Sequence, residues 1–265
     1  MLGRRILGAL LLAGLLAGQQ TGNRGRRWAQ YEHEMQHPAD DPPDAWEEGE
    51  FTFARLRYRS SRGRWGGYAR WGIDANKSDR VFIQSLRRLT RVHARAVEEI
   101  VDIESDGMFK WPWLYAVGVG DWELTPAHAA RLREYFARGG AFAVDDFHNE
   151  REWSLFMAGL NEALPGNIVE ELTIEHPMFQ IVYDIQSLIE IPGTNVANAG
   201  LWERGGVGQH YRAVFDHKRR LQVAIWFNMD LGDAWEWADL PEYPEKYASQ
   251  AFRVGVNTVI YSMTH

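Results

Sequence analysis

The sequence predicts an α/β protein: a three-layer sandwich with a mostly parallel sheet and an antiparallel hairpin extension. Three observations carry this. An amphipathic helix stops at Gly139 and Gly140, the apolar run Ala141 to Val144 follows, and Asp145, Asp146 and His148 come directly after it. A short apolar run suits a strand covered on both faces, and glycine suits a left-handed helix stop. The elements up to Leu164 read β-α-β-β-α-β-α, an order that favours a parallel sheet with helices on both sides. Finally, Tyr211 to Phe215 and Leu221 to Phe227 flank the turn Asp216 to Arg219, which reads as a hairpin.

In chain order, Phe51 to Tyr58 is the first predicted strand, with partly alternating aromatic and aliphatic residues. A loop rich in glycine and aromatics follows, including Trp65 to Tyr68 and Trp71 to Asp74. Ser78 is placed to cap a helix whose stripe is Phe82, Ser85, Leu86 and Leu89. Val97 to Ile103 and Trp113 to Val117 read as the next strands, and Gly118-Val119-Gly120 closes the second of them. Thr125 caps a helix with Pro126 in its first turn and Ala129, Leu132 and Phe136 on its buried stripe. Asn149 and Glu152 pair as caps for a helix with Trp153, Phe156, Met157, Leu160 and Leu164 on one face. After the hairpin, Asn228 to Tyr243 reads as a polar, tryptophan-rich loop. Pro244 opens a last helix with Phe252, Val256, Val259, Ile260 and Met263 at helical spacing, and Ala248, Ala251 and Gly255 permit close approach.

The predicted organisation is a signal peptide over residues 1–18, a linker over 19–50 and a single α/β domain over 51–265. Arg4 and Arg5 precede the apolar run Ile6 to Gly18, in the order of a secretory signal. The run is short for a membrane span; an uncleaved anchor is the alternative, and it is the only membrane contact expected. The implied location is exported, in the periplasm or cell envelope. With no cysteine in the chain, a disulfide framework, a thiol nucleophile and lipoprotein attachment are excluded. A net charge of −7 argues against a nucleic-acid surface. No zinc signature and no serine-hydrolase elbow occurs, and no cofactor or resident metal is expected.

Several blocks together resemble the family called domain of unknown function 4159. They are Phe53 to Tyr58, Trp113 to Gly120, Leu132 to Phe136 with Gly139 and Gly140, and Asp145-Asp146, then His176 to Phe179, Asn228 to Trp235 and Asn257 to Tyr261. The resemblance spans about residues 51 to 264. It implies a flavodoxin-like α/β sandwich similar to class I glutamine amidotransferases, in bacterial proteins that are often exported or membrane-attached. True amidotransferases use a cysteine nucleophile, which this chain lacks.

In open α/β sheets ligands gather beyond the carboxyl ends of strands, which selects the candidate residues. Asp145, Asp146 and His148 offer a ligand site, a divalent-metal site or a general base, or else caps and braces of the following helix. Successive residues of a strand face opposite ways, so Asp146 or His148 is assigned to the crevice and Asp145 to bracing the turn. His176, held extended by Pro177, is placed to complete the site or to fix a turn. Gly118 and Gly120 offer backbone amides to an anion, or simply a tight turn. Asn228, Asp230 and Trp235 have the composition of a carbohydrate subsite, or of a self-organised loop. Arg57 and Arg59 offer either a clamp for an acidic ligand or a solvated edge. Two functions follow: a non-catalytic envelope protein binding a small-molecule or carbohydrate-like ligand or a protein partner, and a hydrolase of a carbohydrate-like envelope substrate using Asp146, His148 and His176.

Overall fold

Near-continuous apolar runs make the central strands, and they are buried on both faces. In the computed structural model, which describes residues 41–61, 70–200 and 202–265, the strands are β1 (Ala54–Arg57), β2 (Glu99–Asp102), β3 (Trp113–Val117), β4 (Ala141–Phe147), β5 (Val169–Glu171), β6 (His210–Phe215) and β7 (Leu221–Phe227). They form one sheet in the order β2-β1-β3-β4-β7-β6-β5. The pairs from β2 to β7 are parallel, and β6 and β5 continue the sheet antiparallel. The mostly parallel, flavodoxin-like α/β fold is therefore present, with its antiparallel end. The signal-peptide segment lies outside the described residues, as does the loop Trp65 to Tyr68. Among the described residues no helix is long and apolar enough to cross a membrane.

Helices cover both faces. One layer holds α1 (Lys77–Leu89), α4 (Leu231–Glu236) and α5 (Glu245–Thr264); the other holds α2 (Pro126–Ala137) and α3 (Asn149–Ala163). Phe53, Phe82, Tyr115, Trp235 and Val254 fill the first interface, and Leu56, Phe136, Phe142, Phe156 and Leu160 the second. Alternation along β4 feeds both: Ala141 and Ala143 face one layer, Phe142 and Val144 the other.

The caps explain the helix bounds. Thr125 accepts from the His128 amide, with the reciprocal bond from the Thr125 amide to His128 Nδ1. Gly139, at φ 92°, and Gly140 donate back to Phe136 and Tyr135, the 5→2 and 6→1 bonds of a Schellman stop. The Asn149–Glu152 pair works with a one-residue offset: Asn149 Oδ1 accepts from the Glu152 amide, and Glu152 Oε2 accepts from the His148 amide.

Several expectations need correction. Ser78 does not cap α1; Asn76 stands at that position, while Ser78 is buried inside the first turn and its hydroxyl accepts from Arg55. The stretch after Asn228 is not all loop, because Asp230 caps the short helix α4 through the Asp233 amide. Leu89 and Met263 lie at helix ends and are exposed. Residues 41–50, read as linker, pack on the domain: Asp41 pairs with Arg80, and Ala45 is buried.

Candidate functional site

The carboxyl ends of β3, β4 and β7 converge, and a β-bulge separates the two adjacent aspartates there. Register shifts between Val144 and Phe147, and Asp146 has φ 51°. Phe147 thereby joins the same core layer as Phe142 and Val144. Asp146 is the extra residue, so it leaves the pleat and turns toward the strand end.

Asp145 keeps the pleat and points toward α4. Its Oδ2 accepts from the Gly232 amide at 2.8 Å and the Tyr115 hydroxyl at 3.1 Å. Burial pushes its acid well above the ordinary range, and the Asp146 charge adds to this. Asp146 behaves oppositely. Burial pushes it up, but Arg204, Arg70 and the His148 hydrogen bond outweigh that and hold it well below the usual carboxylate range. Arg70 Nη2 donates to Asp146 Oδ2 at 2.9 Å, and Arg204 Nη2 to Oδ1 at 2.7 Å. His148 Nε2 lies 3.3 Å from Asp146 Oδ1 and 3.8 Å from Glu203 Oε2.

Gly118 and Gly120 are spacers for this network. The Gly118 amide already donates to the Asp145 carbonyl at 2.8 Å. Its φ is 68°, and a Cβ there would sit 2.5 Å from Arg70 Nε; one on Gly120 would sit 2.4 Å from Glu152 Cβ. Glu152 is anchored by the His148 amide and cannot retreat freely. Gly120→Ala is therefore expected to destabilise the fold by about 1–3 kcal/mol through overpacking, read as a lower midpoint in urea denaturation.

The other candidates separate. Asn228 is a clasp: its Oδ1 accepts from the Asn149 amide and its Nδ2 donates to the Val207 and Gly208 carbonyls. Asp230 caps α4 and stays near the site, its Oδ2 beside Gly193 together with Glu203 and Asp233 oxygens. Trp235 does not line a ligand face. It is 1% exposed, packed on Phe53, Phe82, Tyr115 and Trp226. His176 does not join Asp146: it caps a turn through Met178 and stacks on Phe215, beside the hairpin turn at the opposite end of the sheet. Arg57 and Arg59 pair with Asp102 and Glu104.

Sequence reasoning missed Arg70, Asp74, Glu203 and Arg204. The last two belong to Trp202-Glu203-Arg204-Gly205-Gly206, a charged pair between tryptophan and paired glycines, and that pattern was the available signal. Arg204 sits at φ 45° and reaches back to Asp146, while Glu203 accepts from the Arg204 Nη1 and the Gly193 amide. Burial, with Asp146 next, pushes Glu203 upward, and His148 and Arg204 only partly offset it. Asp146, His148 and Glu203 offer ligand atoms within 4.8 Å of one another. Two guanidiniums already occupy Asp146, which makes that group a poor cation cage.

A family model described as Domain of unknown function (DUF4159) matches residues 52–263. The chain belongs to this family. The matched span takes in the whole sheet, so the strand-end network is part of the DUF4159 domain itself. No curated protein matches the chain.

Proposed function

We propose that this DUF4159 protein is exported to the cell envelope and binds a carbohydrate-like ligand at the strand-end crevice without thiol chemistry. Its likeness to amidotransferases would then be one of fold, with the ligand site kept at the same end of the sheet. The observation that carries the reading is the lip Trp202 to Arg204. The Trp202 side is exposed, Glu203 and Arg204 are only partly covered, and Arg204 ties the lip to Asp146. A flat apolar face beside a carboxylate and a guanidinium suits a sugar ring with its edge hydroxyls.

Saturation-transfer NMR with neutral and acidic envelope oligosaccharides tests this. Binding by wild type is expected, weakened roughly threefold to tenfold in Trp202→Ala and further in Arg204→Ala. Wild-type affinity in both variants would sink the lip as the site. The mass of the protein recovered from its native cells tests export, with cleavage after Gly18 as the expected result.

A hydrolase is the second reading. It is favoured by carboxylates driven apart, Asp146 downward and Glu203 upward, as acid–base pairs require. Glu203→Gln would then abolish turnover of a bound oligosaccharide and leave its binding intact. A substrate that binds wild type and is never turned over rejects this reading.

A further inference from the structure

A second cluster of carboxylates adjoins the first, with Asp233 meeting Glu203 and Asp230 around Gly193. Asp233 and Glu236 are three residues apart on α4, so they share a face. Asp74, from the loop before α1, meets them, and the three offer ligand oxygens within 4.8 Å of one another. We propose that Asp74, Asp233 and Glu236 bind a hard divalent cation, calcium in particular. This does not rest on the ligand reading above.

Asp74 supplies the independent observation. It is 4% exposed, and its Oδ2 has no hydrogen-bond partner although it is sealed from solvent. An unpartnered buried carboxylate oxygen is costly unless something fills its lone pairs. Gly232 leaves it room, since a Cβ there would stand 2.4 Å from Asp74 Oδ2. The neighbouring cation, Arg55, offsets its charge only in part and makes no hydrogen bond to it. Arg55 spends its donors on Asp79, Ser78 and the carbonyls of Trp71 and Ile73. Without a cation, burial pushes the Asp74 acid well up, and Asp233, Asp146 and Glu236 push it further.

The donor set chooses the ion. Carboxylate oxygens without histidine or cysteine suit calcium, magnesium or manganese rather than zinc or copper. Calcium takes about six to eight oxygens in flexible geometry, whereas magnesium demands a near-ideal octahedron, so carboxylates brought together from a loop and a short helix suit calcium. Trp237 provides a built-in reporter, its Nε1 lying 3.2 Å from Asp233 Oδ1.

The test uses the purified protein, stripped with chelator and dialysed. Terbium is titrated under tryptophan excitation and displaced with calcium, and melting is followed with calcium or magnesium added. Sensitised emission that calcium displaces, and a higher melting temperature in calcium, are expected. Asp74→Asn should weaken calcium binding by about tenfold or more, because a charged ligand is lost. Glu236→Gln, at a more accessible position, should weaken it as well if Asp74→Asn folds poorly, and the exposed-site control Asp106→Asn should not. Absence of any calcium response in wild type overturns the proposal, as does wild-type affinity in both Asp74→Asn and Glu236→Gln. A melting shift with magnesium alone overturns the choice of calcium.

Discussion

Arg55→Met is expected to destabilise the protein by about 3–5 kcal/mol, the usual cost of removing one partner of a buried ion pair. Arg55 and Asp79 are both fully buried. The pair is bidentate, Nε to Oδ2 at 2.8 Å and Nη2 to Oδ1 at 2.5 Å, the geometry in which a guanidinium matches a carboxylate best. Methionine would fill most of the volume but leave the Asp79 charge in a dry interior. Ser78 and the first turn of α1 give Asp79 some support, too little to replace a guanidinium. Urea denaturation reads the loss as a lower midpoint with an unchanged slope.

The double variant Arg55→Met with Asp79→Leu separates a charge effect from a packing effect. Removing both charges takes away the stranded carboxylate, so most of the stability should return. A double variant as weak as the single one would place the damage in lost packing and in the carbonyl bonds instead. Those bonds matter for the site. Arg55 Nη1 holds the Trp71 and Ile73 carbonyls, and the same loop carries Arg70 and Asp74. Some loss of calcium response in Arg55→Met is expected even where the protein remains folded.

Six of the seven strands were legible because their determinants are local; the edge strand β5, three residues with none fully buried, carries no apolar run to read. Ala141 to Val144 can be read as a covered strand without knowing its neighbours, and Gly139 and Gly140 stop α2 through bonds to residues three and five positions back, respectively. The hairpin was legible for the same reason. The site was legible only at its fixed end. Asp145, Asp146 and His148 stand at a strand terminus, where position along the chain predicts position in space. Arg70 and Arg204 reach Asp146 from sequence separations of 76 and 58 residues, which no local pattern encodes. Trp235 misled because a polar stretch surrounds it; its own helical turn aims it at Phe82 in the core. His176 misled because a histidine before proline looks the same at either end of a sheet. The bulge was the subtlest omission. Alternation predicts that adjacent aspartates face opposite layers, whereas one faces a layer and the other leaves the sheet.

In excess chelator, stability is expected to rise as the pH is lowered from about 8 to about 5, opposite to a fold held by carboxylate ion pairs. Asp74, Asp145, Asp230 and Glu203 are all pushed upward, in each case by burial first and by neighbouring carboxylates next. Between their unfolded values near 4 and their raised folded values, the native state binds more protons than the unfolded chain. Stability therefore falls as the pH rises through that window, by about 1.4 kcal/mol for each unit that one group is raised. Asp146 has the opposite sign but another window. Its folded value lies below the ordinary 3.8, so its contribution is constant above about pH 5 and is lost only in stronger acid. His176, lowered from 6.5 by burial and Arg219, opposes the trend below neutrality as a single half-buried group. Denaturant midpoints at several pH values check the slope. Asp145→Asn should stabilise the protein at pH 8 and flatten the profile, because asparagine keeps an acceptor for Gly232 and Tyr115 while carrying no charge. A profile that peaks at pH 8 in chelator would mean that these acids are ionised and compensated in the fold. Calcium added at pH 8 should flatten the profile by neutralising the Asp74 cluster. Asp145 and Asp230 offset part of that cost by bracing and capping α4, whereas Asp74 Oδ2 makes no such bond, and groups kept at a cost to stability are those from which binding sites are built.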